Sequence, residues 1–298
     1  MATTMHQLPA LEAEIERHVA QLFADGYVII SGAEEPQVMG SLDEDLGEPF
    51  RRTPFSRGNF SGERTVRFGR ALLRSEQAGR VIQSHLILGI AERVLLPWCE
   101  SIQLNLTQGI AVHPGAPAQL PHRDQDMWGG PKGEFEYMVN VIWPLTRFTR
   151  DNGATMVWEG SHREEKDRYL VDDGVIFAEM EVGDALIFLG STLHGQGTNH
   201  SDEIRRALVV GYCLSWLKPY ENNMLSYPPG IARHFSEKLV DLIGYRQLTA
   251  NLNNFEGQCP TVLLQDEVPE YFGVVDVFRP EQVEAINYYY ENRKPRLV

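Results

Sequence analysis

Residues 183–195 read Gly-Asp-Ala-Leu-Ile-Phe-Leu-Gly-Ser-Thr-Leu-His-Gly. Gly183-Asp184 marks a tight turn, and the unbroken apolar run 185–189 that follows has the length of a strand buried on both faces. Downstream, Arg205-Arg206 heads a second apolar run, Ala207-Leu208-Val209-Val210-Gly211-Tyr212, within a strand expected over 206–216. Upstream, residues 101–112 alternate apolar and polar as a half-buried strand does, and 137–143 and 154–158 are further strand candidates. Asp151-Asn152-Gly153 and Asp172-Asp173-Gly174 supply turns between them. Short strands at this spacing predict a β-sandwich or barrel.

Outside this core the pattern is helical. Leu11, Ile15, His18, Val19 and Leu22 fall on one face of an amphipathic helix that Gly26 ends, and 27–30 reads as a strand. The acidic segment 34–45 reads as helix. The stretch 49–69, rich in Arg, Gly and Phe, reads as a long irregular loop, and its part from about 53 as a candidate lid. A further helix is expected over about 75–96, stopped by Pro97, and the tail from about 229 returns to helix, with a last helix over about 280–291. No Pro/Ser-rich linker interrupts the chain. The expectation is one domain over 1–298: a helical part over about 1–97, a β core over about 98–218 and a helical tail over about 229–298.

Composition narrows the function. The 298 residues are 43% hydrophobic and 23% charged, the balance of a globular protein, which excludes a disordered or collagen-like chain. With 27 Lys+Arg against 41 Asp+Glu the net charge is −14, a poor match for nucleic acid or an anionic membrane. The N-terminus lacks the basic start and apolar stretch of a signal peptide, and no apolar run reaches membrane-spanning length. Cys99, Cys213 and Cys259 are far apart and form no CxxC pair, which argues against disulfides and a cysteine-rich zinc site and for a reducing cytoplasm. The N-x-Ser/Thr triplets at Asn59, Asn105 and Asn199 read as chance matches.

Two places carry chemistry. In extended backbone, His122 and Asp124 of the His122-Arg123-Asp124 triplet point to the same side, presenting an imidazole and a carboxylate together. These are two of the three ligands of a 2-His-1-carboxylate iron site, although the triplet alone is common by chance. His194, at the end of the 183–195 segment and followed by Gly195, is placed to be the third. Arg205 and Arg206 stand at the entrance of a buried strand, where a guanidinium is costly unless it meets an anion such as a carboxylate.

Four segments together resemble the phytanoyl-CoA dioxygenase-like family of Fe(II)/2-oxoglutarate oxygenases. They are Asp25-Gly26-Tyr27-Val28-Ile29-Ile30, His122-Arg123-Asp124, Asp151-Asn152-Gly153-Ala154-Thr155 running to Gly160-Ser161-His162, and Gly183-Asp184 through His194 to Asn199 and Arg205. The likeness spans about 11–216. Trp158-Glu159 departs from it where the family often has a proline. The resemblance implies a mainly β fold with flanking helices, a double-stranded β-helix or jelly-roll, cupin-like barrel with iron in one mouth. It implies His122, Asp124 and His194 as iron ligands, Arg205 as the partner of the far carboxylate of 2-oxoglutarate, and Thr155 as a hydroxyl contact to the same co-substrate. Arg206, on the opposite face of the strand, is the alternative anchor. His162 reads as structural, and His85, His113, His200 and His234 match no ligand position.

The cofactors so implied are Fe(II), with 2-oxoglutarate and O2 as co-substrates. The activity is oxidation, in the first place hydroxylation, of a small and largely apolar metabolite in natural-product tailoring, with release of succinate and CO2. Asp124 argues against halogenation, which relatives perform when a small residue replaces the carboxylate. Met127, Trp128, Phe55, Phe60, Phe68, Trp216 and Tyr220 are candidates for an apolar cavity, and Arg51, Arg52, Arg57, Arg64, Arg67, Arg70 and Arg74 form either an anion site or a solvated face. The expected partner is a small-molecule substrate, with no nucleic acid and no membrane, for a cytoplasmic monomer or homodimer. The alternatives are a cupin-like metal hydrolase or isomerase, which needs no arginine anchor, and a non-catalytic metabolite-binding barrel.

Overall fold

A computed structural model describes residues 2–58, 60–164 and 174–293. The chain falls into two compact units, Met1–Ser226 and Tyr227–Val298. The first opens with helix α1 (Ala2–Asp25), which buries Ile15, Val19 and Leu22. Gly26 ends it in the left-handed region at φ +86°, where a Cβ would lie 2.6 Å from His162 Nδ1 and 2.8 Å from Thr192 Oγ1. Only glycine meets both demands. Strand β1 (Tyr27–Ile30) follows, and then helix α2 (Pro36–Arg52). Pro36 sits in the first turn, where its missing N–H costs nothing. Val38, Met39, Leu42, Leu46 and Phe50 form the buried stripe of α2.

The irregular segment is shorter at both ends than the expected 49–69. Pro49 to Arg52 complete α2, and Thr65–Phe68 form strand β2. The cause is aromatic packing: Phe50 and Phe68 meet edge to face at 4.9 Å and bury both ends of the segment. The helix expected over 75–96 is two, α3 (Glu76–Ile82) and α4 (His85–Leu95). Ser75 caps α3 by accepting from the Gln77 N–H. At its other end Gln83 Nε2 donates to the Gly79 carbonyl at 2.8 Å, and the backbone turns extended at Ser84.

Seven more strands follow: β3 (Ile102–Val112), β4 (Met138–Pro144), β5 (Thr155–Trp158), β6 (Val175–Ala178), β7 (Ala185–Leu189), β8 (His194–Gln196) and β9 (Arg205–Leu214). They form two antiparallel sheets, one in the order β1-β7-β4-β9-β3-β2 and one in the order β6-β5-β8. Ile142, Leu186, Phe188 and Ala207 of the large sheet share one core with Val157 and Ala178 of the small sheet. The result is the expected jelly-roll barrel with flanking helices. The sequence pattern does not reveal strands β2, β6 and β8. The turn expected at Asp172-Asp173 lies outside the described residues.

Asn105 and Asn199 are fully buried, so their N-x-Ser/Thr triplets are no glycosylation sites in the folded chain. Asn199 instead ties loops together, donating to the Val112 and Glu203 carbonyls at 2.9 and 2.8 Å. Asn59 lies outside the described residues. Among the described residues no helix is long and apolar enough to cross a membrane. The second unit holds the expected tail helices, Glu237–Leu242 with Leu239, Val240 and Leu242 buried, and Pro280–Asn292.

The pairing of β2 with β3 sets Gly109 opposite Phe68, whose ring lies where a Cβ would stand, 2.3 Å from its nearest atom. Gly109→Ala is expected to destabilise the fold by about 1–3 kcal/mol through overpacking. Urea denaturation measures it; an unchanged midpoint would mean that the Phe68 ring moves aside freely.

Candidate metal centre

The segment before Asp124 runs beside β8. His122 and His194 exchange both backbone hydrogen bonds, His122 N–H to the His194 carbonyl at 2.9 Å and the reverse at 3.0 Å. The Gln119 N–H extends the pairing to the Gln196 carbonyl at 2.9 Å. Residue 123 is therefore extended (φ −115°, ψ 123°), as the triplet requires, and Arg123 points away from its two neighbours. Its buried guanidinium donates to the carbonyls of Ser161, at 2.7 Å, and Ser191. This joins the Asp124 turn to the loop that leads into His194.

His122 Nε2 lies 3.3 Å from Asp124 Oδ1, and His194 Nε2 lies 3.5 Å from Asp124 Oδ2. One ligand atom from each of the three lies within 4.8 Å of the others. Both imidazoles are oriented from behind: His122 Nδ1 donates to the Leu120 carbonyl at 2.9 Å and His194 Nδ1 to the Thr192 carbonyl at 3.0 Å. A carbonyl only accepts, so Nδ1 carries a proton and Nε2 is the atom that faces inward. Burial pushes the Asp124 carboxyl up, but the imidazoles of His194 and His122 outweigh it and hold the group well below the ordinary carboxylate range. Two imidazole Nε2 atoms and a carboxylate thus converge, and their types and number fit the 2-His-1-carboxylate arrangement for iron.

The three residues open into a cavity of about 120 Å³ also lined by Arg205, Thr155, Arg67, Gln108 and Gln119. Arg205, the first residue of β9, is only 4% exposed. Its guanidinium lies 4.3 Å above the centre of the Phe148 ring, its Nε has no hydrogen-bond partner, and among the described residues no carboxylate pairs with it. Burial, and then the charge of Arg67, push its pKa down to about 9. A buried cation left in this state marks the place of an absent anion. Arg206 faces the other way, pairs with Asp43 of α2 and lies over Phe50. The strand parity expected from sequence holds.

Of the aromatic and apolar candidates, Phe60, Met127 and Tyr220 line the cavity. Phe60 meets the His122 ring edge to face at 4.7 Å. Phe68 packs on Phe50, Phe55 on His113 and Trp128 on Tyr137, away from the cavity. The arginine cluster divides as well. Arg67 alone of the seven lines the cavity, held by Gln108 at 3.1 Å, while Arg52 pairs with Glu48 on the surface. His162 is structural: its Nε2 donates to the Phe23 carbonyl at 3.0 Å, at the end of α1.

Three positions escaped the sequence reading. Gln119 donates to the Phe60 carbonyl at 2.9 Å. Asn105, at a β-bulge in β3, accepts from the Tyr220 N–H at 2.7 Å and so mounts that residue on the rim. Asn140, in the centre of β4, donates to Asp124 Oδ2 at 2.9 Å. Its signal was present, since it is the one amide in the apolar run Met138-Val139-Asn140-Val141-Ile142-Trp143.

The chain is similar in sequence and fold to known proteins. Residues 23–207 match the family model described as phytanoyl-CoA dioxygenase (PhyH). The chain is 31% identical to the multifunctional dioxygenase prhA of Penicillium brasilianum, covering 81% of this chain and 86% of that protein. It is 32% identical to the multifunctional dioxygenase ausE of the same fungus, covering 76% and 82%. Among solved structures, SnoN, an α-ketoglutarate-dependent epimerase from nogalamycin biosynthesis, superposes with a TM-score of 0.58 at 18% identity, over 68% of this chain and 82% of its own. HygX from Streptomyces hygroscopicus, solved with nickel, 2-oxoglutarate and hygromycin B, gives 0.55 at 14% identity, over 69% and 89%.

His122→Ala and His194→Ala are each expected to abolish stoichiometric Mn(II) binding while the protein still melts cooperatively, because the ligands stand at a cavity mouth and outside the main core. Electron paramagnetic resonance titration of the apo-protein measures it, and a variant that retains wild-type affinity does not carry a ligand at that position.

Proposed function

Because the chain belongs to the phytanoyl-CoA dioxygenase family, we propose that it hydroxylates a small, largely apolar metabolite in natural-product tailoring. It is a 2-oxoglutarate-dependent non-haem iron dioxygenase. Iron held by His122, Asp124 and His194 would supply, with 2-oxoglutarate and O2, the oxidising chemistry of the reaction, with succinate and CO2 as co-products.

The chain's own residues divide the remaining work. His122, Asp124 and His194 hold the metal through two inward-facing Nε2 atoms and a carboxylate. Arg205 binds the far carboxylate of 2-oxoglutarate, and Thr155, which lines the same cavity from β5, offers it a hydroxyl. Arg67 adds a second positive charge to the cavity, so the two guanidiniums together suit a dianion. Phe60, Met127 and Tyr220, at the exposed side of the cavity, give the substrate an apolar rim and keep water from the metal. The nogalamycin-pathway epimerase and the hygromycin B complex supply the analogy for a tailoring role. The three free cysteines suit a reducing compartment, which we take to be the cytoplasm.

The observation that carries this reading is Arg205, buried and, among the described residues, paired with no carboxylate, in the cavity that holds the three metal-ligand candidates. A metal hydrolase or isomerase on the same barrel has no use for it. Truncating one partner of a buried charged pair costs roughly 2–5 kcal/mol, which is about 30- to several-thousand-fold in affinity. Arg205→Ala is therefore expected to raise the KM for 2-oxoglutarate by at least the lower factor and to leave metal affinity nearly unchanged. Arg206→Ala removes the bond to Asp43 and is expected to lower stability without moving that KM. Succinate release against 2-oxoglutarate concentration reads both. If neither variant moves the KM, 2-oxoglutarate is not held by this strand.

A further inference from the structure

Asn140 is out of character with its strand. All seven residues of β4 are buried, and the other six are apolar. The strand pairs on both sides, with β7 and β9, so no water reaches the amide from an edge. An amide in that position is costly unless it is bonded, and it is bonded by one end only. Nδ2 donates to Asp124 Oδ2 at 2.9 Å, and Oδ1 has no partner. The fold also makes room for it. Opposite on β9 stands Gly211, where a Cβ would lie 3.2 Å from Asn140 Oδ1. Among the described residues, Asn140 is the one neutral side chain that donates to the Asp124 carboxylate.

We propose that Asn140 is a positioning residue for the metal centre: its amide fixes the rotation of the Asp124 carboxylate by occupying Oδ2, so that the group serves as a one-oxygen ligand through Oδ1. The inference rests on the metal-centre reading above. Asp124 needs such a hold because it has a competitor. Arg67 lines the same cavity, and the charge of Asp124 acts on it. A carboxylate free to rotate can swing toward that guanidinium, or can present both oxygens to the metal and close a position that a chelating co-substrate needs. The Asn140 N–H opposes both movements. Lost outer-shell partners of this kind typically weaken metal binding by about 10–100-fold.

The test uses apo-protein and two variants, Asn140→Leu, which keeps the number and branching of the side-chain heavy atoms, and Asn140→Ser, which is small enough to be accommodated if leucine is not. Mn(II) affinity is titrated by electron paramagnetic resonance, thermal melting of the apo-proteins is compared, and the visible charge-transfer band is recorded anaerobically with Fe(II) and 2-oxoglutarate. The expected result is wild-type melting, Mn(II) affinity lowered about 10–100-fold and a displaced band, because the ligand field changes where mere packing does not. A folded variant with wild-type affinity and an unmoved band overturns the role of Asn140 and leaves the metal centre standing. Failure of the wild-type protein itself to bind Mn(II) overturns both.

Discussion

The centre depends on one pair of backbone hydrogen bonds. His122 and His194 exchange N–H and carbonyl across an isolated antiparallel bridge, and this brings together two imidazoles from distant parts of the chain. Asp124 then follows from strand parity alone. The same bridge leaves the Leu120 and Thr192 carbonyls facing the Nδ1 atoms, two residues before each histidine. Backbone geometry therefore sets the tautomer of both imidazoles. Arg123, turned to the back of the triplet, ties the Asp124 turn to the Ser161 and Ser191 carbonyls, so the arrangement is braced away from the cavity as well as along the strand.

The electrostatics of the cavity are unfinished without ligands. Two imidazoles and a carboxylate face one another at the mouth, and two guanidiniums line the same cavity. The first set suits a cation among His122, Asp124 and His194, and the buried guanidinium of Arg205 suits an anion. The rest of the barrel bears the cost of burying these charges because β4 and β7 are apolar throughout apart from Asn140. Strand β9 divides its first two arginines between different tasks. Arg205 enters the cavity, while Arg206 crosses to Asp43 on α2 and fastens the helical N-terminal part to the barrel.

Much of this was legible in the sequence. The apolar run 185–189 needs burial on both faces wherever it sits, so its place in the middle of a sheet could be foreseen. The amphipathic period of α1 and the alternation of β3 are local properties, and they held. Helix α2 is legible over its acidic start, within 34–45, and its end to Arg52 is not, because composition cannot show that Phe50 packs on Phe68. The break between α3 and α4 was missed for a similar reason: the apolar period continues through Gln83 and Ser84, and the turn there comes from their own backbone and side-chain bonds.

Residue types and spacing by themselves picked out the candidates. A His-x-Asp triplet, a histidine after a buried strand and two arginines at the head of another suggest a donor set and an anion partner, because extended backbone alternates and a buried charge needs a counter-charge, and the family resemblance implied which residue takes which role. Tertiary structure decided which of the other polar and aromatic residues join them. Arg67 out of seven arginines, Asn140 out of an apolar strand, and Phe60, Met127 and Tyr220 out of many apolar side chains reach the cavity. The physical reason is that strand parity is local, whereas proximity between β2, β4, β9 and the Asp124 turn arises only when the sheets close on one core.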